Sequence, residues 1–173
     1  MRELSARLLI ETLGLQPLPE EGGYFRQTFV ADESVAGAAL PARYGRTKPL
    51  STAIYYLLTS EEDSFCALHR LPTEEVYHFY LGDPVEMLVL PPDGSSERIV
   101  LGPDLPGGQR VQHVVPRHVW QGSRLVPGGR FALLGTTMAP GFDRQDFELG
   151  ERQALLARYP RAADLIRALT RVV

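Results

Sequence analysis

The sequence predicts an antiparallel all-β sandwich or barrel with short helices at both ends, and three observations predict it. Glycine and proline number 16 and 14 of 173 residues, about 17% where an average chain has roughly 12%. Between Tyr24 and Arg144 these breakers recur, as at Gly82-Asp83-Pro84, Pro91-Pro92-Asp93-Gly94 and Pro127-Gly128-Gly129, and the segments they bound are rich in β-branched and aromatic residues. The intervals are too short for the crossover helices that parallel strands require.

Taken in order, Leu4, Leu8, Leu9 and Leu13 make a helical stripe that Gly14 can end in the left-handed conformation. Candidate strands follow at Tyr24–Phe29, Thr52–Leu58, Phe65–Leu71, Val76–Leu81, Val85–Leu90, Ser96–Leu101, Val111–Val115, Trp120–Val126 and Phe131–Thr137. The stretch between Val30 and Pro49 reads as a mobile loop. Beyond it all, Leu155, Leu156, Leu165, Ile166 and Leu169 change the period to that of amphipathic helices, broken at Pro160. The expected organisation is one domain over 1–173: a helix over about 4–13, a barrel over about 22–147 and helices over about 149–171.

Lys+Arg number 18 against 21 Asp+Glu, a formal charge of −3, with a pI near 5.8. That balance lacks the basic footprint of nucleic-acid binding. Seventeen of the basic residues are arginine, Lys48 is the lone lysine, and asparagine is absent. The single cysteine, Cys66, can form neither an intrachain disulfide nor a cysteine-based zinc site, and the expected home is the reducing cytoplasm. The N-terminus does not read as a signal peptide, and no apolar run is long enough to span a membrane.

The chemistry concentrates in two places. In His69-Arg-Leu-Pro-Thr-Glu-Glu75-Val-Tyr-His-Phe-Tyr-Leu-Gly82, a histidine ending one strand is followed by a turn, a carboxylate opening the next strand, and a glycine. This resembles the first motif of the cupin superfamily, G-x5-H-x-H-x3–4-E-x6-G, with His69, Glu75 and Gly82 in place and Leu71 at the second histidine position. The second cupin motif is echoed in Val115-Pro116-Arg-His118-Val-Trp-Gln121, with Gln121 where a ligand histidine would stand. Longer words, Glu21-Gly-Gly-Tyr-Phe-Arg-Gln-Thr28, Ile54-Tyr-Tyr-Leu-Leu58 and Pro140-Gly-Phe-Asp-Arg-Gln-Asp-Phe147, look like the cupin family called domain-of-unknown-function 985. The resemblance implies a double-stranded β-helix, or jelly-roll cupin barrel, similar to dTDP-4-keto-sugar epimerases and commonly dimeric. The Tyr24–Phe29 segment could then add across to a second subunit.

Alternation places His69 and Leu71 on one face and Arg70 on the other, with Cys66 beside Leu68 and Arg70 as an inert small residue. Glu75, if inward, needs a partner, which His69 or Arg26 could supply. His78 lies three residues beyond Glu75 and faces outward unless a bulge turns it in. Trp120 could floor a ligand pocket, though a core aromatic is commoner. The candidate catalytic residues are therefore His69 and Glu75, with Arg26, His78, Gln121 and Trp120 as ligand-binding candidates. No cofactor is expected; should a divalent metal bind, the ligands would be His69, Glu75 and Gln121, and a neutral amide is a feeble ligand for transition metals. Three function classes compete. One is a metal-independent isomerase or epimerase of a small polar or sugar-like metabolite, with His69 as base, Glu75 orienting it, and Tyr56 or Tyr77 returning a proton. The others are a metal-dependent dioxygenase or isomerase, and a non-catalytic binder of a small ligand.

Overall fold

The computed structural model describes residues 3–61 and 63–171. Helix α1 (Ala6–Leu13) begins where Ser5 Oγ accepts the Leu8 N–H and ends at Gly14, whose φ of 62° suits glycine. The strands are β1 (Gln16–Pro17), β2 (Tyr24–Val30), β3 (Ser34–Val35), β4 (Lys48–Pro49), β5 (Thr52–Thr59), β6 (Cys66–Arg70), β7 (Glu75–Gly82), β8 (Val85–Leu90), β9 (Glu97–Leu101), β10 (Gln112–Val115), β11 (Trp120–Leu125), β12 (Phe131–Met138) and β13 (Glu148–Leu149). Helices α2 (Arg152–Arg158) and α3 (Ala163–Ala168) close the described chain, separated by a 3-10 turn at Pro160–Ala162. All nine expected strands form. The two-residue strands β1, β3, β4 and β13 are too short to leave a period in the sequence.

Two antiparallel sheets pack face to face, ordered β1-β2-β5-β12-β7-β10 and β13-β6-β11-β8-β9, which is the mostly-β barrel architecture expected. The core between them joins Tyr56, Tyr77, Phe79 and Leu134 of the first sheet to Cys66, Met87, Val89 and Ile99 of the second. Helix α1 covers part of the first sheet's outer face, where Leu9 meets Leu57 and Leu133; α2 and α3 cover the second sheet's, where Leu155 and Ile166 meet Leu68, Leu90 and Trp120. Each amphipathic stripe is thereby buried on a sheet. No described helix is long and apolar enough to cross a membrane.

The segment read as a mobile loop is tied down instead. Its ends pair as β3 and β4, Tyr44 is buried, and Lys48 is 1% exposed. The Lys48 ammonium donates to Asp143 Oδ2 at 3.0 Å and to Asp146, and Arg46 reaches both carboxylates. The segment has no helical or strand period of its own, and the aspartates that Lys48 and Arg46 grip lie about a hundred residues away in sequence and leave no local signal. Burial disfavours the Asp143 carboxylate, yet the Gln145 backbone N–H, Lys48 and Arg46 together hold it down at about 2. A depressed folded-state pKa stabilises the fold above the unfolded value, about 3.9, and that contribution fades as pH falls through the folded one. Lys48→Met should therefore cost about 3 kcal/mol in urea unfolding at pH 7, and should lessen the loss of stability between pH 4 and 2 seen for the unsubstituted chain.

Candidate acid–base site

The barrel is lined with polar groups at one end. His69 on β6 pairs in register with Gln121 on the adjacent β11, and Glu75 opens β7 on the facing sheet. All three are buried, His69 to 1% and Gln121 to 2% exposure. Gln121 Nε2 donates to Glu75 Oε2 at 2.6 Å and lies 3.4 Å from His69 Nε2; His69 Nε2 and Glu75 Oε2 are 3.8 Å apart. The other ring nitrogen, His69 Nδ1, sits 2.8 Å from the Ala67 carbonyl oxygen. A carbonyl only accepts, so Nδ1 carries a proton and Nε2 is left to face Glu75. Phe147 stacks on the imidazole with ring centroids 5.0 Å apart.

The Ala67 contact exists because β6 carries an extra residue. Gln121 pairs with His69, but two steps along β11 Ser123 pairs with Cys66, a spacing of three on β6. This bulge turns Cys66 into the interior, correcting the expectation that it shares a face with Leu68. Cys66 Sγ lies 3.8 Å from His69 Nδ1 and donates to Glu21 Oε1 at 3.4 Å. Glu21 itself precedes Gly22 and Gly23, at φ 101° and 68°, where a Cβ would meet the Phe65 and Leu57 carbonyl oxygens at 2.2 and 2.8 Å. The backbone of Glu21 is pinned to Ala67 N–H at 2.7 Å. Sequence reasoning does not single out Glu21; two glycines directly after a carboxylate are the available signal.

Glu21, His69, Glu75 and Leu71 line a cavity of about 80 Å³ together with Phe25, Gln27, Thr52, Thr136 and Phe142. Three sequence candidates are elsewhere. Arg26 is exposed over the Tyr55 ring, because Phe25 and Gln27 take the inward positions of β2. His78 faces outward from β7, hydrogen bonding with Thr137 and Gln112 and lying parallel to Tyr80. Trp120 neighbours the inward Gln121 and so packs under the C-terminal helices, with Arg70 over its ring. Tyr56 and Tyr77 belong to the core rather than the cavity wall, and Tyr56 donates to the Gly22 carbonyl.

The charges within this enclosure act on one another. Burial raises the Glu21 carboxyl above its ordinary range, and Glu75 adds to the rise. Burial pulls the His69 imidazole down, but the Glu21 carboxylate and contacts with Cys66 and Glu75 outweigh it and lift His69 well above its ordinary value. Burial, then Glu21, raises the Cys66 thiol, so Cys66 is a neutral donor rather than a thiolate nucleophile. Glu21, Cys66 and His69 present ligand atoms within 4.8 Å of one another, close enough for one metal ion to span. The donor chemistry fits an ion poorly: Nδ1 is engaged by Ala67, the thiol holds its proton, and on the Nε2 side Gln121 supplies N–H to Glu75. The arrangement is suited instead to moving a proton.

A two-sheet jelly roll carrying a buried His–Glu–Gln constellation at its open end defines a small barrel protein of the cupin class. The chain belongs to the family described as Cupin superfamily (DUF985), whose model matches residues 7–150. It is 30% identical over 135 residues to the uncharacterized protein YML079W of Saccharomyces cerevisiae, covering 73% of this chain and 66% of that one, just under two thirds of the relative's length. Among solved structures, protein SO0799 from Shewanella oneidensis is 30% identical with a TM-score of 0.84, covering 99% of this chain and all of the other. A hypothetical protein from Leishmania major is 27% identical with the same TM-score, covering 98% and 100%.

A folded-state pKa raised above the unfolded one stabilises the fold fully below about pH 6.5 and loses that contribution as pH climbs through the folded value. Nitrogen-15 NMR of labelled histidine should accordingly find His69 titrating above free histidine, with Nδ1 protonated throughout. Glu21→Gln should move that midpoint downward.

Proposed function

We propose that this cupin is a metal-independent acid–base catalyst that moves a proton between a carbon and its neighbour in a small hydroxy-carbonyl metabolite. The observation that carries the reading is the pairing of a buried imidazole with a buried carboxylate, His69 and Glu75, on the wall of one cavity. The electrostatics exchange the roles suggested by sequence. An imidazole lifted by carboxylates rests protonated, so His69 donates to the carbonyl oxygen while Glu75 takes the proton from the adjacent carbon. The carbon–hydrogen electron pair becomes the C=C bond of an enediol whose first oxygen keeps the proton from His69; Glu75 then returns its proton to the former carbonyl carbon while the second hydroxyl gives its proton to His69 Nε2 and becomes the new carbonyl, which regenerates both groups. Gln121 holds Glu75 in place, and the Ala67 carbonyl fixes the ring so that Nε2 faces the reaction.

The test is deuterium wash-in. Incubated in D2O with three- to six-carbon hydroxy ketones and aldehydes, the protein should introduce deuterium beside the carbonyl of its substrate, with or without EDTA. His69→Ala and Glu75→Gln should each slow this by a factor of about 10² to 10⁴. An unchanged rate in His69→Ala, or a requirement for metal, would overturn the assignment.

We also propose a homodimer formed along β2. Strand β1 pairs only with Tyr24 and Phe25, leaving the rest of that edge unpaired among the described residues, with Phe29 and Val30 about half exposed. Sedimentation equilibrium should return twice the 19.2 kDa chain mass; a monomer mass at micromolar concentration would refute it.

A further inference from the structure

The charge on the cavity wall says what kind of ligand it takes. Glu21, Glu75 and His69 are its ionisable lining groups, and no lysine or arginine is among the described lining residues. The Arg144 guanidinium lies over the Phe147 ring and pairs with Glu20; it favours the Glu21 carboxylate electrostatically but is not one of the lining residues. Two carboxyl groups thus face a single imidazole across the wall, one acidic group more than the basic group can balance. Gln121, whose amide N–H is spent on Glu75, leaves its own buried Oε1 without a hydrogen-bond partner. A phosphate or carboxylate entering here would meet two carboxyl groups against one imidazole, among Gln27, Thr52, Thr136 and apolar side chains, with no lysine or arginine on the wall to receive it.

We propose that the ligand of this cavity is a small cation, a hydroxy compound bearing a protonated amine, with Glu21 and Glu75 as its ionic partners. Phe25 and Phe142 on the wall present ring surface that suits an ammonium group as well as a hydrocarbon. About 80 Å³ of free space accommodates roughly five to eight water-sized groups, which matches an amino-substituted three-carbon polyol or the amine-bearing end of an amino sugar. Glu21 thereby becomes a binding residue, which explains why two glycines are used to bring its carboxylate into the barrel. The proposal rests on the reading of this cavity as the ligand site.

Calorimetric titration of the full chain at pH 7 with four probes of one size tests it: 3-amino-1,2-propanediol, glycerol, glycerate and glycerol 3-phosphate. The aminodiol should bind at least about tenfold more tightly than glycerol, and the two anions should give no binding heat. Glu21→Gln and Glu75→Gln should each lower the preference for the aminodiol over glycerol about tenfold. Urea unfolding of both variants confirms that they remain folded, and each checks the other. Binding of either anion as tightly as the aminodiol overturns the charge inference and leaves the cavity as a ligand site. Binding of none of the four at millimolar concentration overturns both.

Discussion

Because β6 has one residue more than β11 between the Cys66–Ser123 and His69–Gln121 pairs, two side chains three positions apart both enter the barrel, and the carbonyl of the intervening Ala67 swings toward the imidazole. Much of the site depends on that offset. In a regular strand, Cys66 would face the C-terminal helices with Leu68, and Glu21 would lose the thiol that donates to it. His69 would lose the acceptor that fixes its tautomer. The bulge therefore does the orienting that a carboxylate performs in many acid–base sites, with a neutral backbone group that leaves the charge balance untouched.

The same offset explains what could be read from the sequence and what could not. Strands and turns were legible because glycine and proline mark turns through backbone geometry alone, and helix ends because Ser5 and Gly14 are local signals. His69, Glu75 and Gln121 were legible because their spacing belongs to a motif, and the structure brings them together, with Gln121 donating to Glu75 from one sheet to the other. Strand parity keeps Arg26, His78 and Trp120 out of the cavity, and for His78 alternation alone already indicated the outward face. Trp120 and Gln121 are neighbours on one strand, so only one could face the cavity, and His78 is an odd number of residues from Glu75. For Arg26, no inward anchor on β2 was known in advance; Phe25 and Gln27 supply it. Cys66 and Glu21 escaped for a different reason: a bulge is a relation between two strands, and a carboxylate carried in by a turn is placed by backbone conformation rather than by side-chain period.

Local strain and apolar walls are arranged around a small number of charges. Glu20, at φ 66°, and the two glycines after Glu21 adopt conformations that most residues avoid, immediately beside the deepest carboxylate. Phe147 caps the imidazole and Phe142 the cavity, and both lie on the segment that Lys48 and Arg46 grip through Asp143 and Asp146. The enclosure that sets the proton affinity of His69 is thus held shut by ion pairs made outside it.

Lys48 has one more consequence. It is the lone lysine of these 173 residues, and its amine is sealed between two aspartates. A compact ammonium can be enclosed this way, whereas the broad guanidinium found at every other basic position could not be surrounded so completely. Lysine-directed chemistry, whether acetyl transfer, ubiquitin conjugation or a laboratory acylating reagent, therefore finds no side-chain amine on the folded surface. Its rate of reaction would report how often the amine is released from Asp143 and Asp146, which makes the native chain its own probe of that release, with no label to be engineered.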